Sequence, residues 1–410
     1  FGSRSFGPRP EQIAWRFPGA GDVCQRTGKF GAVMRHGPFE PDAAAWWTPQ
    51  SFGLALGVAL LSTACWGSWS NTAKAAGDRV NFAHYYTDFC LGTVLTAVLF
   101  LLGPGGTAVG GADVDTARIG FAVAAGSVFG VANLLLTTGI ALVGLSIAFP
   151  LCIGTGLVLG TVLTYLVDQR GHPELIFPGV FVALLGILSN ARAYALLHTA
   201  RQAARSKAKS QDSNEDSEPE LSSDTRESAT CSASDTDNDK EPAEASFGMN
   251  ILLCVVGGLL MGCWSPLSAK SMRGDEGLSP YFSFVFFTAA SLVVGLLIIS
   301  GQQCSCSVMP RVGPVTSLRE YFKLPALLHL WGLLGGVIWA IGTLSNLVSG
   351  KTLSFALSYA LGQTAPVVAV LWGLLWYHEF DGAPRKAVAY LVAMFFFFAV
   401  AIAMLCIGGH

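Results

Sequence analysis

Asp88 sits in a run of apolar residues whose wholly uncharged remainder, Phe89 to Gly103, is too short to cross a bilayer by itself. A crossing helix needs about 20 residues, so it must begin near Phe82 and carry the carboxylate within it. A charge at that depth costs about 3 kcal/mol unless paired, hydrated or protonated. Asp88 is therefore a proton-coupling candidate, the alternative being an interfacial Asp paired with Lys74, Arg79 or His84. A second set is aromatic. Trp66, Trp69, Tyr85, Tyr86, Trp264 and Tyr281 recur at corresponding ends of apolar runs, and Trp339 lies inside another. Such rings form either an interfacial belt or the walls of a cavity that stack on a flat heterocycle or a sugar face. A third set carries amides: Asn133, Asn346 and Gln363, the last followed by Thr364-Ala365-Pro366. Pro366 removes a backbone bond near Gln363 and can open the helix. Amides both donate and accept, which suits a neutral, hydrogen-bonding solute; bonds between helices are the alternative use.

The elements that must position these groups are membrane helices. The chain of 410 residues is 52% hydrophobic and 13% charged and contains 47 glycines. From about Phe52 it falls into ten apolar runs long enough to span a bilayer as helices. Five precede a polar segment, near 53–74, 83–103, 118–142, 145–167 and 174–198, and five follow it, near 249–271, 280–300, 326–349, 352–378 and 385–408. Loops are marked by Pro and Gly, as in Gly103-Pro104-Gly105-Gly106 and Gly382-Ala383-Pro384. Four GxxxG pairs, Gly53–Gly57, Gly126–Gly130, Gly156–Gly160 and Gly258–Gly262, predict close helix packing.

The first five runs are repeated in the second five. Gly67-Ser68-Trp69-Ser70 with Ala73-Lys74 returns as Gly262-Cys263-Trp264-Ser265 with Ala269-Lys270, and Tyr85-Tyr86 returns as Tyr281-Phe282. Gly126 with Phe129 matches Gly336 with Trp339, and Asp168 matches Glu379. An odd number of helices per copy sets the two copies in opposite orientation, which is the inverted-repeat plan of many secondary transporters. The expected fold is thus all-α, with ten transmembrane helices as two inverted five-helix repeats. Lys and Arg crowd the loops after the first, third, fifth, seventh and ninth helices, which places the central segment in the cytosol and both ends of the chain outside.

Domain expectations follow. Residues 1–50 read as a disordered or targeting tail, and the start at Phe1 rather than Met reads as a fragment or processed product. Residues 51–200 and 248–410 are the two membrane repeats. Residues 201–247 form an acidic, Ser-rich cytosolic linker; between Arg201 and Ser246 lie 12 of the 27 acidic residues and no aromatic one. So little apolar surface does not offset the entropy of folding. Most cysteines lie in apolar runs, leaving Cys304 and Cys306 as the pair open to redox chemistry. No metal site, cofactor or nucleic-acid-binding pattern is expected, and no HExxH, GxSxG or GxxxxGK[ST] signature of an enzyme occurs.

Several blocks carry a family resemblance. Gly67-Ser68-Trp69, Tyr86-Thr87-Asp88-Phe89, Gly144-Leu145-Ser146, Leu175-Ile176-Phe177-Pro178-Gly179-Val180, Pro366-Val367-Val368 with Leu371-Trp372-Gly373, and Glu379-Phe380 resemble the ureide permeases of the drug/metabolite transporter superfamily. The resemblance implies a proton-coupled importer of allantoin and related oxo-heterocycles such as uracil or xanthine. It implies a plasma-membrane location ahead of an internal one, with helices 5 and 10 peripheral. The chain departs from the plant pattern in its acidic central segment and in Ser70-Asn71, where Pro is expected. The partners this reading admits are the lipid bilayer, a small neutral solute, a proton and a second copy of the chain. A sugar or nucleotide-sugar carrier of the same superfamily, or a membrane receptor or scaffold, are the rival readings.

Overall fold

The computed structural model describes residues 46–105, 115–143, 145–215, 240–274, 276–303 and 318–409. Ten helices among them are long and apolar enough to cross a membrane: α1 Phe52–Ala76, α2 Phe82–Leu102, α3 Thr116–Ile140, α4 Ile147–Val167, α5 Pro173–Ala204, α6 Gly248–Met272, α7 Pro280–Ser300, α8 Ala326–Thr352, α9 Phe355–Leu375 and α10 Arg385–Gly408. No strand occurs among the described residues. The ends lie where local chemistry puts them. Ser51, Asn81 and Ser354 cap α1, α2 and α9 by accepting bonds from Leu54 N, Ala83 N and Leu357 N. Large apolar side chains such as Leu102, Leu297 and Val392 face outward, as they do where lipid rather than water surrounds a protein.

Two helices overrun the expected linker. The helix containing α5 continues to Glu215, and the one containing α6 starts at Lys240. Residues 200–210 are rich in Ala, Arg, Lys and Gln, which are good helix formers. Extending an existing helix adds a bond per residue without a new nucleus, so a segment unable to build a core can still prolong one. Residues 216–239 of that linker, residues 1–45 of the expected tail, and Cys304 and Cys306 lie outside the described residues.

The packing pairs come in matched sets: α1 against α8 and α3 against α6; α2 against α8 and α7 against α3; α4 against α6 and α9 against α1; α5 against α10. Glycines set the spacing. A Cβ on Gly126 of α3 would stand 2.0 Å from the Phe287 carbonyl oxygen of α7, and one on Gly336 of α8 would stand 2.0 Å from that of Phe89 on α2. No side chain fits either place. Three of the four GxxxG pairs meet neighbouring helices in this way, whereas Gly53 and Gly57 have nothing within 4 Å. α5 and α10 close on each other through Gly186 and Phe398 and share a core with α4 and α9.

The fourth helix of each half is irregular. In α4, Pro150–Gly154 winds as a π-helix between Leu145–Phe149 and Thr155–Val167. In α9, α-helix stops at Gly362 and resumes at Pro366, as expected from the proline. Across that break Thr364 N and Ala365 N reach back only three residues, to Leu361 O and Gly362 O. The hydroxyls of Thr63 and Thr364 also donate to Leu361 O, at 2.9 and 2.6 Å, so the broken turn is satisfied by side chains.

Candidate functional site

A cavity of about 190 Å³ lies among the irregular helices. α1 contributes Trp66, Trp69 and Ser70; α3 contributes Phe129, Asn133 and Leu136; α4 contributes Phe149 and Ile153. From the other half come Met261 and Trp264 of α6, Trp339 of α8, and Gln363, Ala365, Pro366 and Ala369 around the break in α9. None of these side chains is charged. In the first half the cavity's lining comes from the C-terminal halves of α1 and α3 and from the start of α4.

Aromatic packing builds its walls. Phe129 and Trp339 face each other across the two halves with ring centroids 4.7 Å apart. Behind them stand two matching triads, Trp69–Phe89–Trp339 and Trp264–Phe287–Phe129, with neighbouring centroids 5.1 to 5.9 Å apart. Trp66 is fixed more tightly. Its indole Nε1 donates to Thr343 Oγ1 at 3.0 Å, and its ring fills the space left by Gly342 and Gly362, where a Cβ would stand 2.9 and 2.6 Å from ring carbons. Such rings present flat apolar faces, and the amides of Asn133 and Gln363 supply donors and acceptors at their edge.

Of the residues singled out in the sequence, Trp66, Trp69, Asn133, Trp264, Trp339 and Gln363 meet at this cavity. Four do not line it. Tyr86 lies one layer back, accepting a long 3.4 Å bond from Asn133 Nδ2. Tyr85 is buried and bonded to Thr72 Oγ1 at 2.8 Å. Asn346 ties α8 to α9, donating to Ser358 O at 2.6 Å while its own carbonyl accepts from Ser349 and Ser358. Tyr281 donates to Trp47 O at 3.0 Å and lines a second cavity near the opposite end, about 430 Å³, walled by apolar groups such as Val58, Phe100 and Leu344. That cavity is larger, but few polar groups converge on it, and convergent polar groups are what orient a solute. Phe129, the counterpart of Trp339 in the repeat, also lines the cavity, as do Met261, Phe149 and Ile153, whose apolar side chains carry no signal in the sequence.

Asp88 is buried in α2, outside the cavity. Tyr321 Oη donates to its Oδ1 at 2.5 Å, and His329 Nδ1 stands 2.8 Å from its Oδ2. α2 and α8 approach so closely there that a Cβ on Gly332 would lie 2.5 Å from the Asp88 Cβ. Of the expected partners, Lys74 is engaged with Glu379 at 2.7 Å and Arg79 with the carbonyls of Ala75 and Ala76, while the His84 ring stands edge-on to that of Tyr321 with centroids 5.6 Å apart. Tyr321 and His329 lie more than 230 positions away in the chain, so no local pattern announces them. Burial, together with the bond to Asp88 and its charge, pushes the Tyr321 phenol well above its ordinary value and keeps it a donor. The next residue, Phe89, touches Trp69 and Trp339 with its ring, so the carboxylate is one side chain from the cavity wall.

The helix ends hold two further carboxylates. Burial raises the Glu379 carboxyl, but bonds from Lys74 Nζ at 2.7 Å and Tyr194 Oη at 2.8 Å outweigh it, with the Lys74 and Arg201 charges, and leave it below the usual range. Asp168 accepts from Arg170 at 2.7 to 3.1 Å and from Phe355 N at 3.2 Å, while Arg170 also donates to Gly350 O and Lys351 O.

Comparison with known proteins places this architecture. The family model described as ureide permease matches residues 85–253 and 264–408. Ureide permease 1 of Arabidopsis thaliana is 24% identical over 390 residues, covering 88% of this chain and 98% of its own length. Ureide permease 4 of the same plant is 22% identical over 395 residues, covering 87% and 97%. A solved crystal structure matches with a TM-score of 0.51 at 13% identity, covering 86% of this chain and 98% of that one, which is a likeness of fold. The chain belongs to the ureide permease family.

Proposed function

We propose that this protein is a secondary active importer of ureides and nucleobase-like oxo-heterocycles (allantoin, uracil or xanthine), driven by protons and working in the plasma membrane. Membership of its family makes it a transporter and not an enzyme, and its ten spans make it a multi-pass integral membrane protein. The observation that carries the substrate reading is the small uncharged cavity in which tryptophan and phenylalanine faces from both halves surround the amides of Asn133 and Gln363. A flat, neutral ring bearing alternating C=O and N–H groups satisfies both features at once. The absence of a charged side chain from the cavity lining disfavours a nucleotide-sugar, whose phosphates need cations.

Two inverted five-helix repeats account for the matched packing pairs and for the paired glycine contacts Gly126–Phe287 and Gly336–Phe89. Irregular helices at matching places in both repeats are where such transporters hold their solute. In this reading Asp88 takes up a proton between Tyr321 and His329, and the change reaches the cavity through Phe89. Uptake of labelled allantoin and uracil into carrier-deficient cells at acidic and neutral external pH tests it. The expected result is saturable uptake that rises in acid in the wild type and is insensitive to pH in Asp88→Asn. An Asp88→Asn profile that still follows the wild type removes the proton role from this carboxylate.

A further inference from the structure

The two repeats differ in the contacts made at three pairs of matching positions. Lys74 ends α1 and Lys270 ends α6 at corresponding places in the sequence, and Glu379 follows α9 as Asp168 follows α4. At one end of the molecule Lys74 Nζ meets Glu379 Oε1 at 2.7 Å. At the other, Lys270 lies 4.4 Å over the Phe121 ring, and Asp168 is taken by Arg170 and Phe355 N. The serines one turn inward differ in the same sense. Ser70 lines the cavity, whereas its counterpart Ser265 is buried and accepts from Thr164 Oγ1 at 2.9 Å. The end with the ion pair is therefore the end at which this serine reaches the cavity.

We infer that Lys270 and Asp168 are a latent ion pair that forms when the cavity opens at the opposite end, as Lys74 and Glu379 part. This rests on the inverted-repeat reading, in which exchanging the roles of the two repeats generates the second state of the transport cycle. The geometry allows the contact. α4 and α6 end on the same side, and Thr164 and Ser265 bring them together; Asp168 and Lys270 lie four and five residues beyond, about 6 and 7.5 Å at 1.5 Å per residue. A lysine side chain spans such an offset. In forming the pair, Asp168 exchanges Arg170 for Lys270, which frees Arg170 from the carbonyls of Gly350 and Lys351 and releases the α8–α9 corner. Each pair then fastens one wall of the open end, α1 to α9 or α6 to α4.

The test reads conformation without any solute. Ser70→Cys and Ser265→Cys are labelled with a membrane-impermeant maleimide from each face, and labelling at each position is quantified by peptide mass spectrometry. An exposed ion pair changes a two-state balance by about 1.4- to fivefold. In Lys270→Glu, labelling at position 265 relative to position 70 is expected to fall by that factor; in Lys74→Glu it is expected to rise. The exchange Lys270→Glu with Asp168→Lys is expected to return the ratio to that of the wild type. Lys270→Gln carries the same expectation as Lys270→Glu should the charge reversal impair folding, and Lys270→Arg serves as the folded, charge-preserving reference. An unchanged ratio in the single variants, or no recovery in the exchange, overturns the inference. Because no solute is present, flux without the labelling shift sinks the latent pair alone. The shift without flux sinks the solute assignment and leaves the pair standing.

Discussion

Gly362→Ala probes the way the chain fixes its most constrained aromatic wall. The new Cβ would stand 2.6 Å from Trp66 Cζ3 and 2.9 Å from Asn346 Nδ2, against about 3.5–4.0 Å for a relaxed carbon–carbon contact. About 1 Å of movement is needed, and neither neighbour is free to give it. Trp66 is held by Thr343 and backed by Gly342, while Asn346 is held by Ser358 O. Overpacking of this kind costs about 1–3 kcal/mol, and the gain of up to about 1 kcal/mol from replacing a helical glycine offsets part of it. The simplest relief pushes the indole into the 190 Å³ cavity. If the cost falls on solute binding, 1–3 kcal/mol is about a 5- to 150-fold loss of affinity. The assay is concentration-dependent uptake of labelled solute, with surface expression and thermal stability measured in parallel. The expected result is a raised half-saturation constant with expression retained. Unchanged half-saturation and unchanged melting would refute the claim that Trp66 is wedged against the α9 break.

Other perturbations separate packing from binding. Gly126→Ala and Gly336→Ala each place a carbon 2.0 Å from a carbonyl oxygen of the facing helix, so both are expected to lower the melting temperature in detergent far more than Gly53→Ala, which meets nothing. Gln363→Leu keeps the bulk but removes a cavity amide, and a lost hydrogen bond of about 1.5 kcal/mol should weaken uptake roughly tenfold with folding unaffected. The Lys74–Glu379 pair has a folded carboxyl held below its ordinary value, so its contribution is present above the unfolded carboxylate pKa and disappears as pH falls through the lower folded value. With both side chains partly exposed it is worth about 0.2–1 kcal/mol, and melting curves of wild type and Lys74→Met are expected to converge as the pH is lowered below about 4.

The helices were legible because a span of apolar residues carries its own length signal: the expected run 83–103 is α2 at Phe82–Leu102, and 385–408 is α10. The break at Pro366 was legible for a chemical reason, the missing N–H. The irregularity in α4 was not read, although Pro150 marks it, because the turn there widens without stopping the helix. Within the site the residues that stand out chemically, such as Trp69, Trp264 and Gln363, could be named from their types. Which of the similar groups turn inward could not. Asn346 carries the same signal as Asn133 and Gln363 and differs only in the partners that helix packing brings to it. Asp88 could be singled out by depth, but its companions Tyr321 and His329 come from a short helix and a distant span.

The central claim is that the aromatic cavity with its two amides holds a flat, neutral heterocycle. Its most direct test is uptake by the purified protein in proteoliposomes under an inward proton gradient, with labelled allantoin, uracil and glucose, comparing wild type with Asn133→Leu/Gln363→Leu. The account predicts saturable uptake of allantoin or uracil, none of glucose, and loss of that uptake in a double variant that still folds. Glucose uptake alone, or heterocycle uptake indifferent to both amides, would contradict it.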